Sequence, residues 1–292
     1  MDNSRRKFIK ITGGVSTGFA LSGLSGLSYF SSCEETGKLK KFGIQLYTLR
    51  DAVPKDPKGV LKQLASFGYT QIESYEGQQG MFWGMSNTEF KKYLNDLGMS
   101  IVSSHCDMNK DFEKKAAEAA AIGMKYLICP WLGPQKSLDD YKRHADEFNK
   151  RGEICKKNGI RFAYHNHDYS FKPMNGQVPQ DVMMNATDAS LVDYELDMYW
   201  VVAAGEDIEN WVKKYPNRFR LCHVKDRSKT PGPDNGKNSV DLGTGSIDWS
   251  KILNTAKANG MEYFIVEQEA YPNGTSLEAS KVNAEYMKGL KI

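Results

Sequence analysis

Lys157-Asn-Gly159-Ile-Arg-Phe-Ala-Tyr-His-Asn-His-Asp168 decides the fold. A charged helical pattern ends at Lys157, and a glycine follows that can take the left-handed backbone of a helix terminus. A short apolar run then reads as a buried strand, and it ends in side chains able to bind a metal or move a proton. The same order recurs at Ser66-Phe-Gly68-Tyr-Thr-Gln-Ile-Glu73, Asp96-Leu-Gly98-Met-Ser-Ile-Val102, Ala121-Ile-Gly123-Met-Lys-Tyr-Leu-Ile128 and Ala258-Asn-Gly260-Met-Glu-Tyr-Phe-Ile265. Helix, glycine and strand repeating about every thirty residues means parallel strands joined by helical crossovers.

Working outward, strands are expected at Phe42–Leu46, Thr70–Glu73, Ser100–Ser104, Tyr126–Cys129, Arg161–His165, Leu191–Asp197, Phe219–Val224 and Tyr263–Glu267. Helical patterns separate them at Pro57–Phe67, Asn87–Leu97, Asp111–Ala121, Leu138–Lys157, Ile208–Tyr215 and Trp249–Ala258, and Ser276–Gly289 closes the chain. Eight such units over about 250 residues predict one α/β domain, a (β/α)8 TIM barrel spanning 34–292. A doubly wound open sheet is the alternative, but no G-x-G-x-x-G follows the first strand.

The chain has 292 residues, is 40% hydrophobic and carries a net charge of +3, so composition points to no nucleic-acid partner. Part of that charge sits in Ser4-Arg-Arg-Lys-Phe-Ile-Lys10, which precedes a weakly apolar Gly/Ser-rich stretch and Ser31-Ser-Cys33. Residues 1–33 therefore read as an export signal of twin-arginine and lipoprotein type. The expected location is periplasmic, or membrane-anchored through a lipidated Cys33. Cys106, Cys129, Cys155 and Cys222 are read as buried free thiols.

In a (β/α)8 barrel the carboxyl ends of the strands converge on the active site. Here they carry Gln45, Glu73, His105, His165, Asp197, His223 and Glu267, and packing alone does not place so many polar groups there. His165, Asp197, His223 and Glu267 make a mixed nitrogen and oxygen shell suited to one divalent ion, Mn²⁺ or Zn²⁺ first, with Mg²⁺ or Co²⁺ as alternatives. Two-residue spacing sets His167, Lys225 and Glu269 on the same faces, higher in the mouth. Glu267, His165, His167 and Lys225 are the candidate acid–base groups. His105, Glu73, Gln45, Trp131 and Glu269 are the candidate substrate contacts. Glu195, two residues below Asp197, is read as an acceptor orienting a ligand. Trp83, Trp131 and Trp200 follow strands two, four and six as candidate aromatic walls. The glycines between Asp226 and Asp248 suit a lid, with a phosphate cradle as the alternative.

The set Gly43-Ile-Gln-Leu-Tyr-Thr-Leu-Arg50, Tyr164-His-Asn-His-Asp168, Leu196-Asp-Met-Tyr-Trp200, His223-Val-Lys-Asp226 and Val266-Glu-Gln268 resembles the xylose-isomerase-like TIM-barrel superfamily, which contains the sugar phosphate isomerase/epimerase-type proteins. The resemblance runs from about residue 40 to the end. It implies one divalent ion on His165, Asp197, His223 and Glu267, where the family's first ligand is usually a glutamate. It implies proton abstraction next to a carbonyl by a sugar isomerase or epimerase. An exported enzyme points further to non-phosphorylated sugars. The histidine at 165 looks more like relatives that act on 3-keto-glycosides by β-elimination. A non-catalytic sugar-binding lipoprotein is the alternative of another class. A DNA-repair endonuclease on the same fold would need a multi-zinc cluster and a basic groove.

Overall fold

A computed structural model describes residues 37–39 and 41–292; the export segment 1–33, with Cys33, lies outside the described residues. In chain order the strands are β1 (Gly43–Gln45), β2 (Gln71–Tyr75), β3 (Ser100–His105), β4 (Tyr126–Cys129), β5 (Arg161–His165), β6 (Val192–Asp197), β7 (Phe219–Val224), β8 (Asp226–Arg227), β9 (Ser239–Val240) and β10 (Tyr263–Val266). All but β8 and β9 close into a parallel barrel ordered β1-β2-β3-β4-β5-β6-β7-β10, the expected (β/α)8 architecture. Helices α1 (Pro57–Phe67), α2 (Asn87–Asp96), α3 (Phe112–Ala121), α4 (Leu138–Lys157), α5 (Pro179–Ala186), α6 (Met198–Ala203), α7 (Ile208–Lys214), α8 (Trp249–Ala258) and α9 (Ser276–Gly289) fill the crossovers and close the chain. Among the described residues no helix is long and apolar enough to cross a membrane.

The helix ends explain the repeat. Asp56 accepts the Gly59 N–H at the start of α1, Pro57 occupies its first turn, and Gly68 ends it at φ 101°. Ser86 with Glu89, and Thr275 with Glu278, form capping boxes on α2 and α9. Gly260 repeats the left-handed exit from α8 at φ 97°. Two helices were not expected. In α6 the Asp197 side chain is itself the cap, accepting the Trp200 N–H, so an apolar Met-Tyr-Trp-Val-Val run turns helical directly after β6.

Strand alternation sorts the buried apolar side chains into two sets. Val102, Tyr126, Ile128, Ala163 and Leu221 cluster with Tyr263. Ala163, Leu221 and Tyr263 share the strand face of His165, His223 and Glu267, so this set plugs the barrel below the polar mouth. The other face supplies the larger layer between sheet and helices, with Ile44, Ile72, Leu127, Phe162, Tyr164, Cys222 and Val266. Cys106, Cys129, Cys155 and Cys222 are all buried and unpaired.

The glycine-rich segment after β7 folds over an anion of its own. Asp226 accepts the N–H groups of Arg227, Gly243, Gly245 and Ile247 at 2.9, 3.0, 3.1 and 3.3 Å. The phosphate alternative is thereby excluded, because the protein's own carboxylate fills the cradle. The same segment makes the β8–β9 ribbon, whose Ser239 Oγ accepts the N–H groups of Glu269 and Ala270. Asp226→Ala strips four N–H groups of their acceptor, so unfolding stability should fall by about 3 kcal/mol or more. Denaturant melts of the two proteins check this.

Candidate active site

The neighbouring strand ends are held in register, with His165 opposite Glu195 and Asp197 opposite His223. Asn166 fixes β5 to β6: its Oδ1 accepts the Asp197 N–H at 3.0 Å and its Nδ2 donates to the Asp197 carbonyl at 3.1 Å. Donor atoms of His165, Asp197, His223 and Glu267 lie within 4.8 Å of one another, all four side chains buried. His223 Nδ1 is 3.1 Å from His165 Nε2, 3.1 Å from Glu267 Oε2 and 3.4 Å from Asp197 Oδ2.

The outer ring nitrogens show how these rings are oriented. His165 Nδ1 donates to the Pro130 carbonyl at 3.1 Å, and His223 Nε2 donates to Glu73 Oε1 at 2.7 Å. With those protons engaged, both facing nitrogens present lone pairs to each other and to two carboxylate oxygens. That arrangement is unfavourable unless a cation or a proton sits among them. Two imidazole nitrogens and two carboxylate oxygens, each ring fixed by an outer hydrogen bond, fit a borderline divalent ion such as Zn²⁺ or Mn²⁺.

The charges around this set are strongly coupled. Burial opposes ionisation of Asp197, yet Lys225 and the two imidazoles hold its carboxyl well below the usual range. Glu267 is held down in the same way by Lys225 and His223. Burial disfavours the Lys225 ammonium, but Glu267 and Glu269 keep it well above its ordinary value. Its Nζ is 3.2 Å from Glu267 Oε2, donates to Glu269, and lies over the Tyr199 and Trp200 rings at 4.9 and 5.1 Å. Deeper, Glu73 and Glu195 are neighbouring buried carboxyls that cannot both ionise cheaply. Burial and the Glu73 charge push Glu195 well up, whereas Glu73, despite burial, is held at about 2 by His105 and His223.

A cavity of about 740 Å³ opens above the four donors, and His105, His165, His167, Trp131, Trp200, Glu267 and Glu269 line it. His167 packs edge-on to Trp131 at 4.4 Å and parallel to Tyr169 at 5.6 Å, and its Nδ1 has no hydrogen-bond partner. Trp131 is 55% exposed at the rim. Two expected substrate contacts are corrected here. Gln45 and Glu73 are fully buried below the rings, hydrogen-bonded to each other at 2.7 Å, and they take no part in the cavity wall. Their strands carry the wall one step further on, at Tyr47 and Tyr75. Trp83 is no wall either: it is buried and donates to Ser74 Oγ at 3.1 Å. Lys225 is also buried and supports the wall residues rather than forming part of the lining. Glu76, Asp107, Lys110 and Asp168 belong to the rim and were not singled out from the sequence. Only the alternation beyond β3, from His105 to Asp107, could have suggested one of them.

Burial lowers the pKa of His223, but Glu195, Glu267 and Asp197 outweigh it and raise the value well above the ordinary one. The metal-free ring is therefore protonated at neutral pH, whereas a ligating ring must be neutral. Uptake of Mn²⁺ should release a proton, and affinity should rise with pH by about tenfold per unit over pH 6 to 8. Titration calorimetry in buffers of different protonation enthalpy measures both effects.

Residues 61–290 match the family model described as xylose isomerase-like TIM barrel. A sugar phosphate isomerase/epimerase from Parabacteroides distasonis is 30% identical, with a TM-score of 0.72 over 87% of this chain and 95% of that one. An inosose dehydratase from Clostridium perfringens is 29% identical over 197 residues, covering 63% of this chain; the chain spans 62% of that relative's length. The IOLI protein with a bound zinc atom is 16% identical and shares the fold at a TM-score of 0.67, over 84% of this chain and 95% of that one. The chain belongs to the xylose isomerase-like TIM-barrel family.

Proposed function

We propose that this chain is a divalent-metal-dependent enzyme of isomerase/epimerase type that removes a proton next to the carbonyl of a non-phosphorylated sugar. The observation that carries the reading is the pair of facing imidazole nitrogens at 3.1 Å, joined by two carboxylates at the floor of the cavity. When bound there, the ion polarises the substrate carbonyl and acidifies the adjacent C–H.

The residues above the floor divide the remaining work. Burial lowers the pKa of His167 well below its ordinary value, which leaves on the cavity wall a neutral imidazole whose Nδ1 has no partner and can accept a proton. Glu267, already engaged by His223 and Lys225, serves as ligand more readily than as base. Trp131, Trp200 and Tyr75 offer apolar faces to a sugar ring. Lys110 is the only lysine or arginine among the lining residues, against Glu76, Asp107, Asp168, Glu267 and Glu269. A lining with one lysine and no arginine offers no cluster of cations for a phosphate and supports a non-phosphorylated substrate.

A second reading, β-elimination from a 3-keto-glycoside or cyclitol ketone, has a specific observation behind it. Two-base epimerisation needs a free base on each face of the carbon. Here His167 has a ring nitrogen without a partner, while the wall carboxylates Glu267 and Glu269 are tied to Lys225. The inosose dehydratase relatives, named for loss of water from an inosose, accord with this variant. Both readings share the first proton transfer. The reading extends to location: the Arg5-Arg6 segment supports export to the periplasm, with Cys33 as a lipid anchor, where non-phosphorylated sugars are encountered.

Keto-sugars and 3-keto-glycosides incubated with the Mn²⁺-loaded protein in D₂O, followed by NMR, test this. Deuterium at the carbon next to the carbonyl is expected, with re-epimerised sugar for the first reading and released aglycone for the second. His167→Gln should cut turnover by about 10²-fold or more while Mn²⁺ binding persists. Binding of these sugars without exchange or release would leave a non-catalytic sugar-binding protein.

A further inference from the structure

Beneath the first set of donors the barrel holds a second. Glu73, His105, Glu195 and His223 also offer donor atoms within 4.8 Å of one another, and all four are buried. His223 serves both groups through opposite ring nitrogens. Its Nε2 is 2.7 Å from Glu73 Oε1 and 3.4 Å from Glu195 Oε2. His105 Nε2 is 2.7 Å from Glu195 Oε2 and 3.4 Å from Glu73 Oε1.

Two observations separate this group from an ordinary buried hydrogen-bond network. Glu73 is saturated, since Gln45 donates to Oε1 at 2.7 Å and Ser103 to Oε2 at 2.5 Å. Glu195, with no solvent exposure, has an Oε1 atom without any hydrogen-bond partner. Buried carboxyl oxygens are rarely left so, and this one belongs to a carboxyl whose other oxygen meets both imidazoles, a donor set that suits a cation. The formal charges point the same way. Glu73, Glu195, Asp197, Glu267 and Glu269 meet at this end of the barrel, and Lys225 is the one lysine or arginine ion-paired with any of them among the described residues. With all five carboxyls ionised and the imidazoles neutral, as ligation requires, one divalent ion leaves that interior two charges negative and two bring it to neutrality. His105 reaches the cavity wall and gives the inner group its route to solvent.

We propose that Glu73, His105, Glu195 and the Nε2 face of His223 form a second, inner divalent-cation site of the Mn²⁺ or Zn²⁺ class. The inference rests on the outer set being an ion site, as the proposed function requires. With both sites filled, the His223 ring bridges the two ions, and the Nε2 proton now held toward Glu73 passes to solvent. The inner ion sets the orientation of His105 toward the substrate and takes no part in substrate contact.

Full-length protein stripped with EDTA and dialysed against excess Mn²⁺ should bind two equivalents, counted by mass spectrometry of the metal. Glu195→Gln, close in shape to a carboxyl, should bind one and keep a cooperative thermal transition. Wild-type crystals soaked in Mn²⁺ should show two anomalous peaks on either side of the His223 ring, a result that needs no variant. One equivalent in the wild type, with a single peak beside Asp197 and Glu267, would sink the inner site and leave the outer one standing. Two equivalents in both proteins would put the extra ion elsewhere and also overturn the proposal. No bound metal at all would overturn it together with the metal-dependent function.

Discussion

Two imidazole nitrogens that have given their ring protons to other partners, and still face one another, are the constraint around which the barrel mouth is organised. Left alone, such lone pairs and the carboxylates beside them are costly in a buried site. Each is held by groups from a different strand: Pro130 beyond β4, Glu73 on β2, Asn166 beyond β5 and Lys225 beyond β7. No hairpin or single βα unit brings these four together. Closure of the whole barrel is therefore a condition for the site, and the shear of the strands decides which residues meet.

Much of this was legible in the chain itself, because a parallel barrel obeys local rules. Arg161–His165, Tyr126–Cys129 and Phe219–Val224 were delimited correctly as strands by a preceding helix end and an apolar run, and the structure has them at those bounds. Two-residue alternation from Ala163 through His165 to His167 placed the rings on one face, where they are found. What failed was depth. Gln45 and Glu73 sit on inward faces as expected, yet β1 and β2 enter the mouth lower than β5 and β7, so their polar ends support the floor instead of meeting the cavity. Sequence spacing carries the face of a residue but not its height, which depends on the stagger of all the strands.

Short elements escaped for a related reason. Met198–Ala203 is apolar enough to continue a strand, and only the Asp197 side chain, turned back onto the Trp200 N–H, makes it helical. That carboxylate caps a helix with one oxygen and faces the donor set with the other. A local signal and a tertiary one are thus carried by a single residue, and periodicity cannot separate them. The glycines after Asp226 were similarly ambiguous. Their pattern announces an anion cradle, but whether the anion is a ligand or the protein's own side chain is settled only by the fold.

The ribbon that Asp226 anchors has an exposed tip, nearly all of residues 229–237. A contact ties it to the barrel interior: the Tyr199 hydroxyl donates to the Asn235 carbonyl, and the Tyr199 ring lies against the buried Lys225 ammonium. Surface loops drift quickly among related proteins, while catalytic floors do not. Here an exposed segment, of the kind that tolerates substitution, is connected through a phenol to the charge that balances three carboxylates. Evolution can therefore retune the electrostatics of the interior from outside, altering which substrates are processed without replacing any residue that touches them.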